Sequence, residues 1–312
     1  MNLGFGLEKT VVAVTGAGGQ IAKSVIEAFL EAGCYIAALE INRAKFKNDE
    51  NDDRVLWLYA DTTDENTVQE AWQAAKDRFG AWPSVCICAA ALDLSFVPHH
   101  RSISTMSTEQ FRRTMDINVT GTFIAARTWL QHIARTGHSK SNGTNGVANG
   151  ANGTVNGSTA DKTDHSQSEN MAAANDNVSL IIIGSEAGAL GVAGNADYAA
   201  SKSAVQYGLV QSLAPDAARI HPRARVNAIC PGAVDTPAFQ SECTSDVSGM
   251  TQWVEAKATT ASRRPTRAED VARLCLVLAS DRWSASTNAQ AIRVDAGKSG
   301  RLYWGKDGEA LW

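Results

Sequence analysis

The sequence predicts a single α/β domain built on a doubly wound parallel sheet of about seven strands, with helices on both faces. Two observations predict it. Short apolar, β-branched runs recur along the chain, and the segments between them carry helical periodicity. At 312 residues with 44% hydrophobic content, the chain can bury a large core.

The runs are TVVAVT (10–15), CYIAALE (34–40), RVLWLYA (54–60), SVCICAA (84–90), VSLIII (178–183), RVNAIC (225–230) and AIRV (291–294). Each reads as a strand buried on both sides. Two long helices are expected at about 107–135 and 196–214, the second ending or kinking before Pro215, which lacks a backbone donor. Residues 137–177 break the rhythm. They are rich in Gly, Asn, Ser and Thr and nearly free of large apolar side chains, so they cannot offset their own ordering entropy. The expectation is one domain over 1–312 with a flexible insertion at 137–177. Coming after a helix and before a strand, the insertion belongs at the amino ends of the strands, away from the carboxyl ends where open α/β sheets bind ligands.

A net charge of −4 argues against a polyanion partner, and no apolar run approaches the ~20 residues that span a bilayer. Neither nucleic acid nor membrane is expected as a partner. The six cysteines show no CxxC spacing and read as reduced core residues of a cytoplasmic protein. The pair His99–His100 lacks a third ligand, so it reads as surface loop and no metal is expected.

VAVTGAGGQIAKSVIEAFLEAG reads as strand, Gly-rich turn and helix. Gly16 and Gly19, with Gln20 and Ile21 opening the helix, would let backbone amides approach a pyrophosphate. A plain tight connection is the alternative. Glu40 closes the next strand, where a carboxylate can bind ribose hydroxyls and repel a 2′-phosphate. NAD is therefore expected, with Arg43 nearby leaving NADP open. Asp61 ends the third strand, placed for an adenine edge; either acid could instead be a helix cap or a solvated strand end.

Ser185 is followed thirteen residues on by Tyr198, and Lys202 comes four later, on one face of a helix. A phenol with pKa near 10 is a poor base at neutral pH. An ammonium at ~4 Å is worth about 4 kcal/mol at an effective dielectric of 20, about three pKa units, and would bring Tyr198 near 7. The Ser185 hydroxyl can hydrogen-bond a substrate oxygen and stabilise alkoxide charge.

In these motifs the chain resembles the short-chain dehydrogenase/reductase family, over nearly everything except the insertion and the last dozen residues. The family's TGxxxGxG becomes Thr15-Gly16-Ala17-Gly18-Gly19-Gln20-Ile21-Ala22, and its NNAG becomes Cys88-Ala89-Ala90-Ala91. The resemblance implies a Rossmann-type sheet and an NAD(P)-dependent oxidoreductase moving hydride between the nicotinamide and a secondary alcohol or ketone. Ser185, Tyr198, Lys202 and Asn118 would be catalytic, with Asn118 in a proton relay. Gly16, Gly19, Gln20, Ile21, Glu40, Asp61, Ala90, Tyr198 and Lys202 would hold the cofactor. Pro231 and Gly232 would shape the turn beneath the nicotinamide, and Thr236 would bind its carboxamide.

The resemblance further implies a substrate loop at 237–266, here carrying Phe239, Met250 and Trp253, and a homodimer or homotetramer built from the long helices and the last strand. The tail from Gly300 would dock on a neighbouring subunit. A small carbonyl or alcohol is the expected partner, a sugar alcohol or a secondary-metabolite ketone being examples. The rival is a non-redox protein of the same fold, a nucleotide-sensing regulator or a cyclase or isomerase; Gln20 and the missing NNAG asparagines keep it open.

Overall fold

In a computed structural model of the chain, which describes residues 4–46, 52–95, 97–98, 100–137, 177–245 and 254–311, seven parallel strands form one sheet. They are β1 (Val11–Thr15), β2 (Tyr35–Glu40), β3 (Val55–Tyr59), β4 (Val85–Cys88), β5 (Ser179–Ile183), β6 (Arg225–Pro231) and β7 (Ala291–Val294). Their order is β3-β2-β1-β4-β5-β6-β7. All seven expected strands form; every residue of β1, β4, β5 and β6 is buried, but β3 and β7, expected to be buried on both sides, are only partly covered because they are the edges of the sheet.

The chain winds outward from β1 in one direction and then, through β4, in the other. This makes β1 and β4 the point where topology reverses and a crevice opens at the carboxyl ends. On one face α1 (Gln20–Glu31) packs against α9 (Ala268–Ala279), burying Val25, Phe29, Cys275 and Leu278 with one side of the sheet. On the other lie α2 (Glu65–Phe79), α4 (Gly121–Gly137) and α7 (Val210–Ile220), around the fully buried Trp72 and Trp129. Trp129 is satisfied there, its indole N–H donating to Ser84 O at 2.9 Å.

The helices start and stop for local reasons. Asp64 caps α2 by accepting from Asn66 N, and Gly80 ends it with φ +73, a left-handed conformation that suits glycine. Ser107 caps α3 (Thr108–Met115) in the same manner. The first long helix then widens into a π-helical turn, Asp116–Thr120, before continuing as α4. The second runs as α6 (Ala196–Ser203), a π-helical turn at Ala204–Leu209, and α7.

Pro215 lies inside α7, so the helix does not end before it. Burial of Leu213, Ala214 and Ala217 against the core holds the helix through the missing hydrogen bond. Short helices α5 (Ala187–Leu190), α8 (Pro237–Ser245) and α10 (Asp281–Ser284) complete the described α-helices, beside a further π-helical turn at Val254–Ala258.

Residues 138–176 of the expected insertion lie outside the described residues. Its exit is fixed at the amino edge of β5, where Asn177 donates to Gly6 O at 2.6 Å and accepts from Asp281 N at 2.9 Å. The tail turns back on its own chain. Tyr303 N donates to Ala258 O at 2.7 Å, the Trp304 indole to Thr260 O at 3.1 Å, and the Arg263 guanidinium lies 5.1 Å from the Trp304 ring. Among the described large apolar side chains of the tail, Leu302 and Leu311 are half exposed. Five of the cysteines are buried, Cys243 is half-buried, and all six are free.

Candidate active site

The Gly-rich turn between β1 and α1 is shaped by close approach. Gly16 has φ +65, and a Cβ there would stand 2.6 Å from Ala90 Cα, so the turn closes directly onto the chain leaving β4. Thr15 Oγ1 accepts from Ala89 N (3.1 Å) and Ala90 N (3.2 Å), which ties that strand end down without an asparagine amide. Gly19 precedes α1 with no side-chain cap and no acid in the first turn, leaving the helix N-terminus able to receive an anion. Gln20 is exposed, while Ile21 is half-buried.

Glu40 is buried at the end of β2, and both its oxygens already accept backbone bonds: Oε2 from Gly18 N and Oε1 from Asn42 N, each at 2.9 Å. It braces the Gly-rich turn. Asp61, past β3, accepts from Thr63 N and Thr63 Oγ1 and so also shapes its own turn. Arg43 stands over the Tyr59 ring at 4.7 Å.

Across the crevice, Ser185 follows β5. Its N–H donates to Gln206 Oε1 at 2.9 Å, and its hydroxyl accepts from Ala187 N at 3.1 Å. Gln206, on the π-helical turn, leaves no room for side chains at 184 or 188: a Cβ on Gly184 would sit 2.5 Å, and on Gly188 2.6 Å, from its amide. Gln206 is thus a serine-positioning residue that the spacing argument misses; the glycines flanking Ser185 were its only trace in the sequence.

Helix α6 presents Tyr198 and Lys202. It is held to α3 by Asp197, which accepts from Thr114 Oγ1 at 2.8 Å and Gln110 Nε2 at 3.2 Å. Asn118, buried in the first π-helical turn, donates to Leu92 O and to Ser201 Oγ (3.0 Å) and accepts from Leu92 N at 2.8 Å. This one amide joins the end of β4 to the helix bearing Lys202. Its backbone carbonyl accepts from Thr122 Oγ1 at 2.7 Å.

The electrostatics differ from the sequence expectation of a phenol near 7. Burial pushes the Tyr198 phenol well above its ordinary value, outweighing the hydrogen bond from Ser185 that draws it down. The Lys202 ammonium sits 5.7 Å from the ring centroid and donates to Ile183 O at 2.9 Å, so it is committed to the strand as well. Burial lowers Lys202 itself to about 8, against the charges of Asp93 and Cys230. In the chain alone, desolvation beats the lysine.

Pro231 and Gly232 close β6 beside the serine: Glu186 N donates to Pro231 O at 2.8 Å and Gly232 N to Val294 O at 3.0 Å. Thr236 opens α8, its hydroxyl accepting from Phe239 N at 3.2 Å. Phe239 is half-buried; Met250 and Trp253 of the expected substrate loop, and His99, lie outside the described residues. His100 bonds Gln110 at 2.8 Å, a loop-fastening contact.

A glycine turn opening onto a bare helix N-terminus at the reversal point of a parallel sheet, faced by a serine, a tyrosine and a lysine, defines a dinucleotide-dependent oxidoreductase site. The residues present fit such a cofactor. Comparison with known proteins places it further. Residues 10–144 match the family described as short chain dehydrogenase, and residues 158–299 match that described as Enoyl-(Acyl carrier protein) reductase. Between them the matches span most of the chain, which belongs to the short-chain dehydrogenase/reductase family.

Among its relatives are cis-4-hydroxycyclohexanecarboxylate dehydrogenase of Sinomonas cyclohexanicum, 26% identical over 95% of this chain and 98% of that one. Another is 2,5-dichloro-2,5-cyclohexadiene-1,4-diol dehydrogenase of Sphingobium indicum, 28% identical over 76% and 77%. The fold matches ligand-free aldohexose dehydrogenase of Thermoplasma acidophilum with TM-score 0.69 at 22% identity, over 96% of this chain and 98% of that one. The protein is an NAD(P)-dependent oxidoreductase of alcohols and ketones. These relatives do not favour the non-redox alternative. No helix among the described residues is long and apolar enough to cross a membrane.

Proposed function

We propose that Tyr198 is the acid/base of a dehydrogenase acting on a secondary alcohol carried on a small ring, with NAD as the preferred cofactor. The observation that carries the reading is the gathering of Ser185, Tyr198 and Lys202 at the end of β5, where Asn118 and Gln206 fix them. The nicotinamide, when bound, gives or takes the hydride. In reduction Tyr198 Oη passes its proton to the carbonyl oxygen; in oxidation it takes that proton back. Ser185 Oγ donates a hydrogen bond to the same oxygen and stabilises its developing charge.

Lys202 supplies the positive charge that a phenolate needs, and the Asn118 carbonyl offers the next acceptor in a relay toward solvent. The buried phenol of the chain alone holds its proton firmly, which suits the reducing direction. Gly16, Gly19, Gln20, Ile21 and Ala90 cradle the dinucleotide, Asp61 its adenine, and Pro231, Gly232 and Thr236 its nicotinamide. Glu40, wedged against Gly18, leaves a carboxylate where a 2′-phosphate would lie, which supports NAD. Both relatives named above have ring alcohols in their names, which supports the substrate class.

Exposed Phe111, Phe123 and Tyr207 on the two long helices support a homodimer or homotetramer. The free cysteines support a reducing, cytoplasmic setting. The test is Tyr198→Phe, which should cut turnover of cyclic ketones by about three orders of magnitude while NADH still binds. Near wild-type turnover would remove Tyr198 from the reaction.

A further inference from the structure

Beneath the floor of the crevice, three charged residues far apart in sequence meet. Glu186 follows Ser185, Lys298 lies past β7, and Glu255 sits on the π-helical turn Val254–Ala258. Lys298 Nζ is 3.0 Å from Glu186 Oε1 and also bonds the carboxylate and backbone carbonyl of Glu255. The side chains of Glu186 and Lys298 are only 11% and 10% exposed. Glu186 Oε2 has no hydrogen-bond partner among the described residues. A Cβ on Gly232 would stand 3.2 Å from it, so this oxygen lies against the Pro231–Gly232 turn.

The charges around Glu186 do not balance. Lys298 and Glu255 face it from one side, and from the end of β7 come Asp295 and its partner Arg293. Tyr198 feels its charge from α6, and the Pro231–Gly232 turn brings none. Three carboxylates meet two cations. A buried excess charge of this kind is relieved by binding a proton.

We propose that Glu186 is a positioning residue of the active site, a proton-binding carboxyl whose charge state governs how firmly the Val254–Ala258 turn is held against the catalytic strand. The inference rests on the oxidoreductase reading for its role beside Ser185. Burial, outweighing the attraction of Lys298, pushes the Glu186 carboxyl up to about 7, with Glu255 and Asp295 adding to the push. A carboxyl freed into solvent returns to its ordinary 4.5. The packed arrangement therefore binds the proton more tightly than an opened one, so protonation favours packing. That stabilisation is fully present below 4.5 and is lost as pH rises through about 7.

Hydrogen exchange on the cofactor-free protein, corrected for intrinsic rates, reads the turn directly. Wild-type amides of Val254–Ala258 should open about tenfold more readily at pH 8 than at pH 6. Glu186→Gln, a neutral isostere, should stay protected at both. Glu255→Gln, altering the exposed end of the chain of charges, should move the transition to lower pH. In the active enzyme, KM for a cyclic ketone should rise from pH 6 to 8, and Glu186→Gln should flatten it. A pH-independent wild type, or a Glu186→Gln protein that keeps the transition, would overturn the proposal. Exchange needs no turnover, so that failure would leave the hydride-transfer reading intact, while an inactive wild type with a normal exchange transition would sink the reading and keep the clamp.

Discussion

At the amino edge of the sheet, Arg225 is buried at the start of β6 and donates to Leu278 O, Ala279 O and Ser284 Oγ, where α9 ends. Ser179 Oγ donates to the same Leu278 carbonyl, and Ser280 Oγ to Phe5 O. At the carboxyl edge the buried polar groups are held but not exhausted: Glu186 Oε2 has no partner among the described residues, and Tyr198 and Lys202 are both driven toward neutrality by burial. One edge spends most of its polar groups on closing helix ends, although Arg225 Nε, Thr10 Oγ1 and Ser84 Oγ stay buried without a partner among the described residues. The other keeps desolvated, titratable groups beside an opening, where they destabilise the fold and are available for chemistry.

Substituting one group from each edge breaks this comparison most directly. Lys202→Met should lower kcat/KM by about two to three orders of magnitude, yet leave the fold at least as stable at neutral pH. The sign follows from the depressed ammonium. Between about 8 and its ordinary 10.5 the unfolded chain binds more protons at this site than the folded one, so wild-type stability gains from Lys202 as pH climbs through that window. Denaturant titrations of both proteins across pH 7 to 11 should show the variant's advantage shrinking; an advantage that grows would contradict the burial cost.

Arg225→Met should do the opposite. It removes three buried hydrogen bonds and strands the Ala279 carbonyl, costing about 3 kcal/mol of stability. The folded fraction should keep its kcat/KM to within about twofold, since the site lies at the other end of the strands. A large loss of turnover at constant folded fraction would show the two edges to be coupled.

The same division explains what the sequence made legible. Strands such as TVVAVT and VSLIII announce themselves as near-continuous apolar runs because they are buried on both faces. Ser185, Tyr198 and Lys202 are legible because the backbone of one strand end and one helix fixes their separation. Glu186, Glu255 and Lys298 are not, since only the packing of β5, β7 and a loop brings them together. Nor could spacing show that Glu40 would spend both oxygens on Gly18 and Asn42, or that desolvation would outweigh Lys202 at Tyr198. Pro215 misled for a related reason: local preference lost to the core burial of α7.

Glu40 sharpens the picture within the carboxyl edge. Its side chain braces the Gly-rich turn; under the proposed preference for NAD, Glu40→Ala should weaken NAD while admitting NADP. The ratio of kcat/KM for the two cofactors should fall about tenfold, the scale of one lost charge contact. An unchanged ratio would assign the discrimination elsewhere, Arg43 over the Tyr59 ring being the next residue to alter.

The smallest effect is expected from the largest deletion. Residues 138–176 join α4 to β5, and Asn177 pins their exit at the amino edge by its bonds to Gly6 and Asp281. Replacing them with a Gly/Ser linker of about ten residues shortens the connection roughly fourfold, and loop closure alone then favours folding by ~1 kcal/mol. Because the join lies at the edge opposite Tyr198 and Lys202, kcat/KM should change by less than about twofold. Steady-state kinetics beside a denaturant titration separates the two readings: a gain in stability with unaltered turnover keeps the edges independent, whereas lost turnover in a fully folded protein would place the segment in communication with the site.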